Sequence, residues 1–216
     1  LGRLMSRVVL ITDVDTPLGR ELIRLYLEEG CWILATGTDE DALSSLGAAA
    51  DESLALTRWN RNSPAGARNL ILRALNTYDG LDELVLLGPA ARTPPTLHQT
   101  EPVDIERNVD CWIKGSLYLL REALDHFSRR GTGVVAMVAP PGPHPVSPLG
   151  SALRGSFAAL ADALLEARAG GPIVVNAFAT GSDQVEAFAE YVVQNIRDRG
   201  REQGGRWFRY QGGFLS

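Results

Sequence analysis

The chain has 216 residues, 45% hydrophobic and 22% charged, which suits one globular domain with a sizeable core and does not ask for a second. Its net charge of −5 comes from well-mixed acidic and basic residues. That argues against a nucleic-acid or anionic-membrane footprint, and no apolar run approaches the roughly 18–20 residues that cross a bilayer.

Residues 1–6 read as a tail, and 1–216 as a single domain. Arg7 to Thr12 is an apolar, β-branched run that reads as a buried parallel strand. Asp15-Thr16-Pro17 supplies a helix start, with Pro at the first helical position. Leu18, Leu22, Leu25 and Tyr26 then recur at helical spacing until Gly30. Cys31 to Thr36 reads as a second strand, with a short helix from Asp39 to Leu46. Ser53 to Leu56 is a third strand, Pro64 to Tyr78 a helix and Leu84 to Leu87 a fourth strand. One long helix is expected from about Val103 to Phe127, followed by a strand at Gly133 to Val138. Pro140 to Pro148 reads as a loop, Ser151 to Arg168 as a small-residue helix and Ile173 to Phe178 as a strand. A helix from Gln184 to Arg197 and a strand at Trp207 to Tyr210 close the chain. Strict alternation means an α/β, doubly wound, Rossmann-like three-layer sandwich of about seven parallel strands. Two cysteines, Cys31 and Cys111, read as reduced thiols in a cytoplasmic setting rather than a disulfide or metal site.

Several segments carry a family likeness in order and spacing. Val8 to Thr12 opens as a nucleotide-binding first strand does. Tyr78-Asp79-Gly80-Leu81-Asp82-Glu83-Leu84-Val85 matches F-G-x-L-D-x-L-V. Lys114-Gly115-Ser116-Leu117 falls where N-x-x-G is written, Ile173 to Gly181 resembles I-R-V-N-x-I-x-P-G, and Tyr210-Gln211-Gly212-Gly213 resembles a terminal D-G-G. From about residue 7 to 213 the chain resembles the short-chain dehydrogenase/reductase family.

That resemblance implies a dinucleotide site whose residues are mostly replaced. The family's T-G-x-x-x-G-x-G turn uses glycines so that the backbone can approach a pyrophosphate. Here it reads Thr12-Asp13-Val14-Asp15-Thr16-Pro17-Leu18-Gly19, so only Gly19 is kept. Asp13 and Asp15 are expected to face the pyrophosphate, where like charges cost on the order of 3–4 kcal/mol each; a local turn-capping role for Asp13 is the blander alternative. Pro17 removes an N–H donor. Leu86-Leu87-Gly88-Pro89 replaces N-N-A-G, Asn60-Arg61 the Asp-Val beside adenine, and Asp39 reads as an N-cap more than a ribose ligand. The expectation is that no cofactor binds, with NAD(P) as the alternative.

The catalytic set is treated the same way. By register Trp112 replaces the family's Asn, Ala139 its Ser, Gly150 its Tyr and Arg154 its Lys. Without any register, Lys114 is the one lysine and follows Asp110, so no Y-x-x-x-K occurs. The resemblance assigns the tyrosine to substrate proton transfer and the lysine to lowering its pKa. Ala139 and Gly150 supply no acid, and Arg154 holds its proton; it reads as a surface or interface arginine. His144, Ser147 and Ser151 lack an orienting carboxylate, His98 and His126 stand alone, and no cluster has metal-ligand spacing.

Small residues crowd one helix, among them Gly150, Ser151, Gly155, Ala159 and Ala163, and small side chains permit close helix approach. In the family this helix and the preceding long one pair across a two-fold axis. The chain therefore reads as a non-catalytic structural or regulatory subunit. Its partner would be itself or an active relative, engaged through helices around 103–127 and 150–168. The alternatives are an atypical NAD(P)-dependent oxidoreductase and a ligand-binding protein whose old cleft is lined by Trp112, Leu86 and Leu87.

Overall fold

The computed structural model describes residues 6–47, 52–90, 96–142, 147–168, 171–199 and 204–212. Seven strands form one parallel sheet: β1 (Val8–Thr12), β2 (Trp32–Gly37), β3 (Leu54–Arg58), β4 (Glu83–Leu87), β5 (Gly133–Val138), β6 (Ile173–Thr180) and β7 (Trp207–Tyr210). Their order is β3-β2-β1-β4-β5-β6-β7, so the chain reverses direction across the sheet between β1 and β4. Such a switch point leaves a crevice at the carboxyl ends of the strands.

Alternation along each strand divides the core. Leu84 and Leu86 face one side with Val135, Met137 and Val175; Val85 and Leu87 face the other with Val9, Ile11 and Ile33. Helices α3 (Pro64–Tyr78), α5 (Gly115–Arg130) and α6 (Pro148–Ala167) cover the first face. Helices α1 (Pro17–Glu28) and α7 (Val185–Arg199) cover the second, with the shorter α2 (Glu40–Gly47) beside β2 and β3.

Three helices begin on the same four-residue device. Thr16-Pro17-Leu18-Gly19, Ser63-Pro64-Ala65-Gly66 and Ser147-Pro148-Leu149-Gly150 each place a hydroxyl at the N-cap and Pro at the first helical position. The hydroxyl accepts from the glycine N–H at 3.1, 3.2 and 2.9 Å. This satisfies an orphan donor while Pro has none to satisfy. The last helix start therefore falls at Pro148 rather than Ser151.

The single long helix expected from Val103 to Phe127 is instead three segments, α4 (Pro102–Asn108), a π-helical turn (Val109–Lys114) and α5. An inserted residue widens the turn, and the 3.6-residue apolar pattern does not register it. Among the described residues no helix is long and apolar enough to cross a membrane, and no group of His, Cys, Asp and Glu could hold a metal ion.

At the opposite end of the sheet, Glu83 is fully buried, accepts a hydrogen bond from the Tyr26 hydroxyl and lies 3.6 Å from the Arg7 guanidinium. Burial pushes its carboxyl above the ordinary 4.5, against the pull of Arg7 and Tyr26. A raised folded-state value gives stability that is full below the ordinary carboxylate range and drains as pH rises through the folded value. Urea unfolding midpoints compared over roughly pH 4–8 should fall more steeply with pH in the native chain than in Glu83→Gln.

Candidate functional site

At the end of β1 the Thr12 hydroxyl accepts from the Leu87 N–H at 3.0 Å and ties the first turn to β4. Asp13 follows in the left-handed region at φ 55, which a short polar residue tolerates better than most. Its carbonyl accepts from both the N–H (3.0 Å) and the hydroxyl (2.6 Å) of Thr16. Gly19 is required here, since a Cβ would lie 2.4 Å from that same carbonyl oxygen.

The Asp13 side chain turns inward rather than towards a ligand. Its buried carboxylate accepts from the Arg61 guanidinium, itself 2% exposed. Burial pushes the Asp13 carboxyl up while Arg61 pulls it down. The Arg61 guanidinium carbon lies over two indole rings, 4.1 Å from the centroid of Trp59 and 4.2 Å from that of Trp112, and the side chain also reaches the Cys111 carbonyl at 3.4 Å. Cation–π contacts with two rings attract an ion that burial has desolvated. The π-helical turn presents Trp112 and the Cys111 carbonyl to this stack.

Asp15 occupies the other polar position. One carboxylate oxygen accepts from Thr38 N–H, Thr38 hydroxyl and Asp39 N–H, each at 3.1 Å. Gly37 makes room, because a Cβ there would come within 3.1 Å of the same carboxylate. The expectation that Asp13 and Asp15 jointly face a pyrophosphate is thus corrected: one carboxylate is neutralised beneath the turn and the other holds the loop after β2. A purely local capping role for Asp13 is corrected as well. Asp39 does cap α2, accepting from Asp41 N–H and Ala42 N–H at 3.0 and 3.1 Å. Asn60 is exposed and caps its own turn through Asn62 N–H.

A separate cavity of about 370 Å³ opens under α6 at the ends of β4, β5 and β6. Gly88, Ala139 and Arg154 line it with Trp207 and Arg209 of β7. Gly88 belongs there because Phe157 fills the space a side chain would need, its ring atoms 2.9 Å from a hypothetical Cβ. Leu86 and Leu87 are 0% and 1% exposed, so they are core and do not line the cavity as the ligand-binding alternative required. Nor is Trp112 there; it packs on Arg61. Arg154, read as a surface or interface arginine, lines the cavity, and its Nη1 is buried and unpartnered. Gly150 is the fourth residue of the helix-start device, with its N–H on Ser147. His144 and Gly213 lie outside the described residues. Ser151 and His98 are exposed, and His126 lies against the Leu81 carbonyl at 3.3 Å.

Removing one member of a buried ion pair leaves an uncompensated charge, at a cost of about 3–5 kcal/mol, while replacing both can be nearly neutral. Asp13→Asn should therefore lower unfolding free energy by about that amount. The double change Asp13→Gly with Arg61→Met should recover most of it, as read by denaturant titration.

The short chain dehydrogenase family model matches residues 7–192. None of the curated proteins matches in sequence. Among solved structures, a 3-ketoacyl-(acyl-carrier-protein) reductase from Brucella melitensis in complex with NADH superposes with a TM-score of 0.83 at 18% identity, covering 98% of this chain and 99% of that one. A short-chain dehydrogenase/reductase described as a glucose/ribitol dehydrogenase, also from Brucella melitensis, gives 0.81 at 17%, covering 96% and 95%. Identities this low show the fold alone. The expectation that no cofactor binds is corrected by these findings, since the matched family is NAD(P)-dependent and a full-length structural match holds NADH. As folded, the first turn does not fit such a dinucleotide, because Asp15 holds the amides of Thr38 and Asp39 and Pro17 has no N–H to offer. With 186 consecutive residues under one family model (7–192) and a matching sheet topology, the chain belongs to the short-chain dehydrogenase family.

Proposed function

We propose that this chain is a non-catalytic member of its family, working as a structural or regulatory subunit beside a copy of itself or an active relative. One observation carries the reading. The cavity where Ala139 and Arg154 meet has no tyrosine, serine, histidine or lysine among its described lining residues. The family's proton transfer needs a hydroxyl acid tuned towards neutrality, and a guanidinium holds its proton throughout. The carboxylate present, Asp162, accepts from the Trp207 indole N–H at 2.6 Å.

A nicotinamide dinucleotide, which the similar reductase holds, is the cofactor class this reading brings to the chain. Binding it requires Asp15 to leave the Thr38 and Asp39 amides, so occupancy reports on the turn rather than on turnover. No reaction step is routed through it.

The assembly face supports the subunit role. Ala152, Gly155, Ala159 and Ala163 lie exposed along α6, and Leu117 on α5 is 45% exposed. Small residues let helices approach closely, and the exposed Leu117 adds apolar area on α5.

NADH and NADPH oxidation assayed against ketones and quinones should show no turnover, and the triple change Ala139→Ser, Gly150→Tyr and Arg154→Lys should not create any. Holding the nicotinamide against a substrate is worth about 7–11 kcal/mol of barrier, which a restored acid does not supply. Turnover by the unmodified chain would overturn the proposal. For assembly, Ala159→Arg should convert an oligomer to monomers in sedimentation velocity, because it buries an unpaired charge in the contact; a monomeric native chain that joins no active relative contradicts the subunit role.

A further inference from the structure

The cavity under α6 carries a signal that the non-catalytic reading leaves unused. Arg154 is a partly buried guanidinium whose Nη1 is sealed from solvent and has no hydrogen-bond partner among the described residues. Nη1 itself is therefore out of reach of the open cavity, and it is the remaining surface of the Arg154 side chain that lines it. Arg209 lines the same space, its guanidinium 5.5 Å from the Trp207 ring centroid. Asp162, the one acidic lining residue, has its Oδ1 committed to the Trp207 indole 2.6 Å away. Among the described residues, the charge facing the cavity is therefore two cations against one engaged carboxylate.

The remaining wall is apolar. Pro89, Ala139, Pro140, Phe157 and Ala179 form it, and the volume of about 370 Å³ falls in the ordinary range of small-molecule sites. An apolar chamber with a few convergent polar groups selects a ligand that is apolar over most of its surface and charged at one end. A guanidinium fork matches a carboxylate in two parallel hydrogen bonds.

We infer that this cavity binds a small carboxylic acid with an apolar body, its carboxylate on Arg154 and its hydrocarbon against Phe157 and Ala179. Arg209 flanks the anion and sets the field rather than the primary contact. The inference goes beyond the non-catalytic reading and does not rest on it: the site is built of residues on α6 and the strand ends, and it needs neither nucleotide nor turnover.

The test uses the full chain without nucleotide, titrated calorimetrically with hexanoate and phenylacetate and, as controls, with hexanol and inorganic phosphate. Both carboxylates should bind, and hexanol should bind about ten- to hundredfold more weakly than hexanoate, the range of a charge-assisted hydrogen bond. Phosphate alone, lacking an apolar body, should bind more weakly than hexanoate. Arg154→Met should erase the preference for hexanoate over hexanol and leave the melting temperature unchanged or higher, since an unmatched buried cation is removed. Ala158→Leu, which fills the chamber and leaves Arg154 in place, should abolish binding of both. The inference is overturned if neither carboxylate binds, if hexanoate and hexanol bind alike, or if Arg154→Met binds hexanoate as the native chain does. Turnover in the preceding assays would sink the non-catalytic reading and leave this result standing.

Discussion

The Asp13–Arg61 ion pair is the constraint around which the upper edge of the sheet is arranged. It joins the turn after β1 to the loop after β3, and through the stacked indoles of Trp59 and Trp112 it reaches the π-helical turn before α5. Two charges out of water are tolerated only with close geometry and further partners. Arg61 has the Asp13 carboxylate, the rings of Trp59 and Trp112 and the Cys111 carbonyl, with its Nε left unpartnered. The loop after β3 also fits tightly. A Cβ on Gly115 would meet the Arg61 carbonyl at 2.9 Å, and one on Gly66 the Asn60 carbonyl at 2.5 Å.

From that pair follows the character of the cleft. A glycine-rich turn leaves backbone donors free for an anion; this turn spends them on its own chain. Asp13 carbonyl takes two bonds from Thr16, and Asp15 takes three from Thr38 and Asp39. The matched family is NAD(P)-dependent, and in this chain the amides of Thr38 and Asp39 are held by Asp15. The cavity under α6 has the reverse balance, with Arg154 and Arg209 on its wall and the Asp162 carboxylate engaged by the Trp207 indole. The upper edge of the sheet thus has one part held by its own side chains and another, under α6, that is open.

The layered fold was legible because burial imposes period: Val8 to Thr12 and Leu84 to Leu87 are continuous apolar runs, and both became central strands. The cap at Asp39 was legible from residue type. Side-chain destinations were not. Asp13 and Asp15 look alike in sequence, yet one is buried against a guanidinium 48 residues away and the other grips a loop 23 residues away. Arg61 reads as an ordinary loop arginine until Trp59 and Trp112 close over it. The thrice-repeated hydroxyl-Pro-x-Gly was present in the sequence and would have given the start of α6 and the role of Gly150. Arg154 could not have been placed, because its cavity is built by α6 together with β7, which follows only after β6 and α7.

The central claim is that the chain's own carboxylate holds the nucleotide cleft. Calorimetric titration of NADH into the full native chain and into Asp15→Ala tests it directly. Freeing the Thr38 and Asp39 amides and removing one like charge should exceed 1.4 kcal/mol, so the variant should bind NADH at least about tenfold more tightly. Equal affinity, or tighter binding by the native chain, would contradict the account.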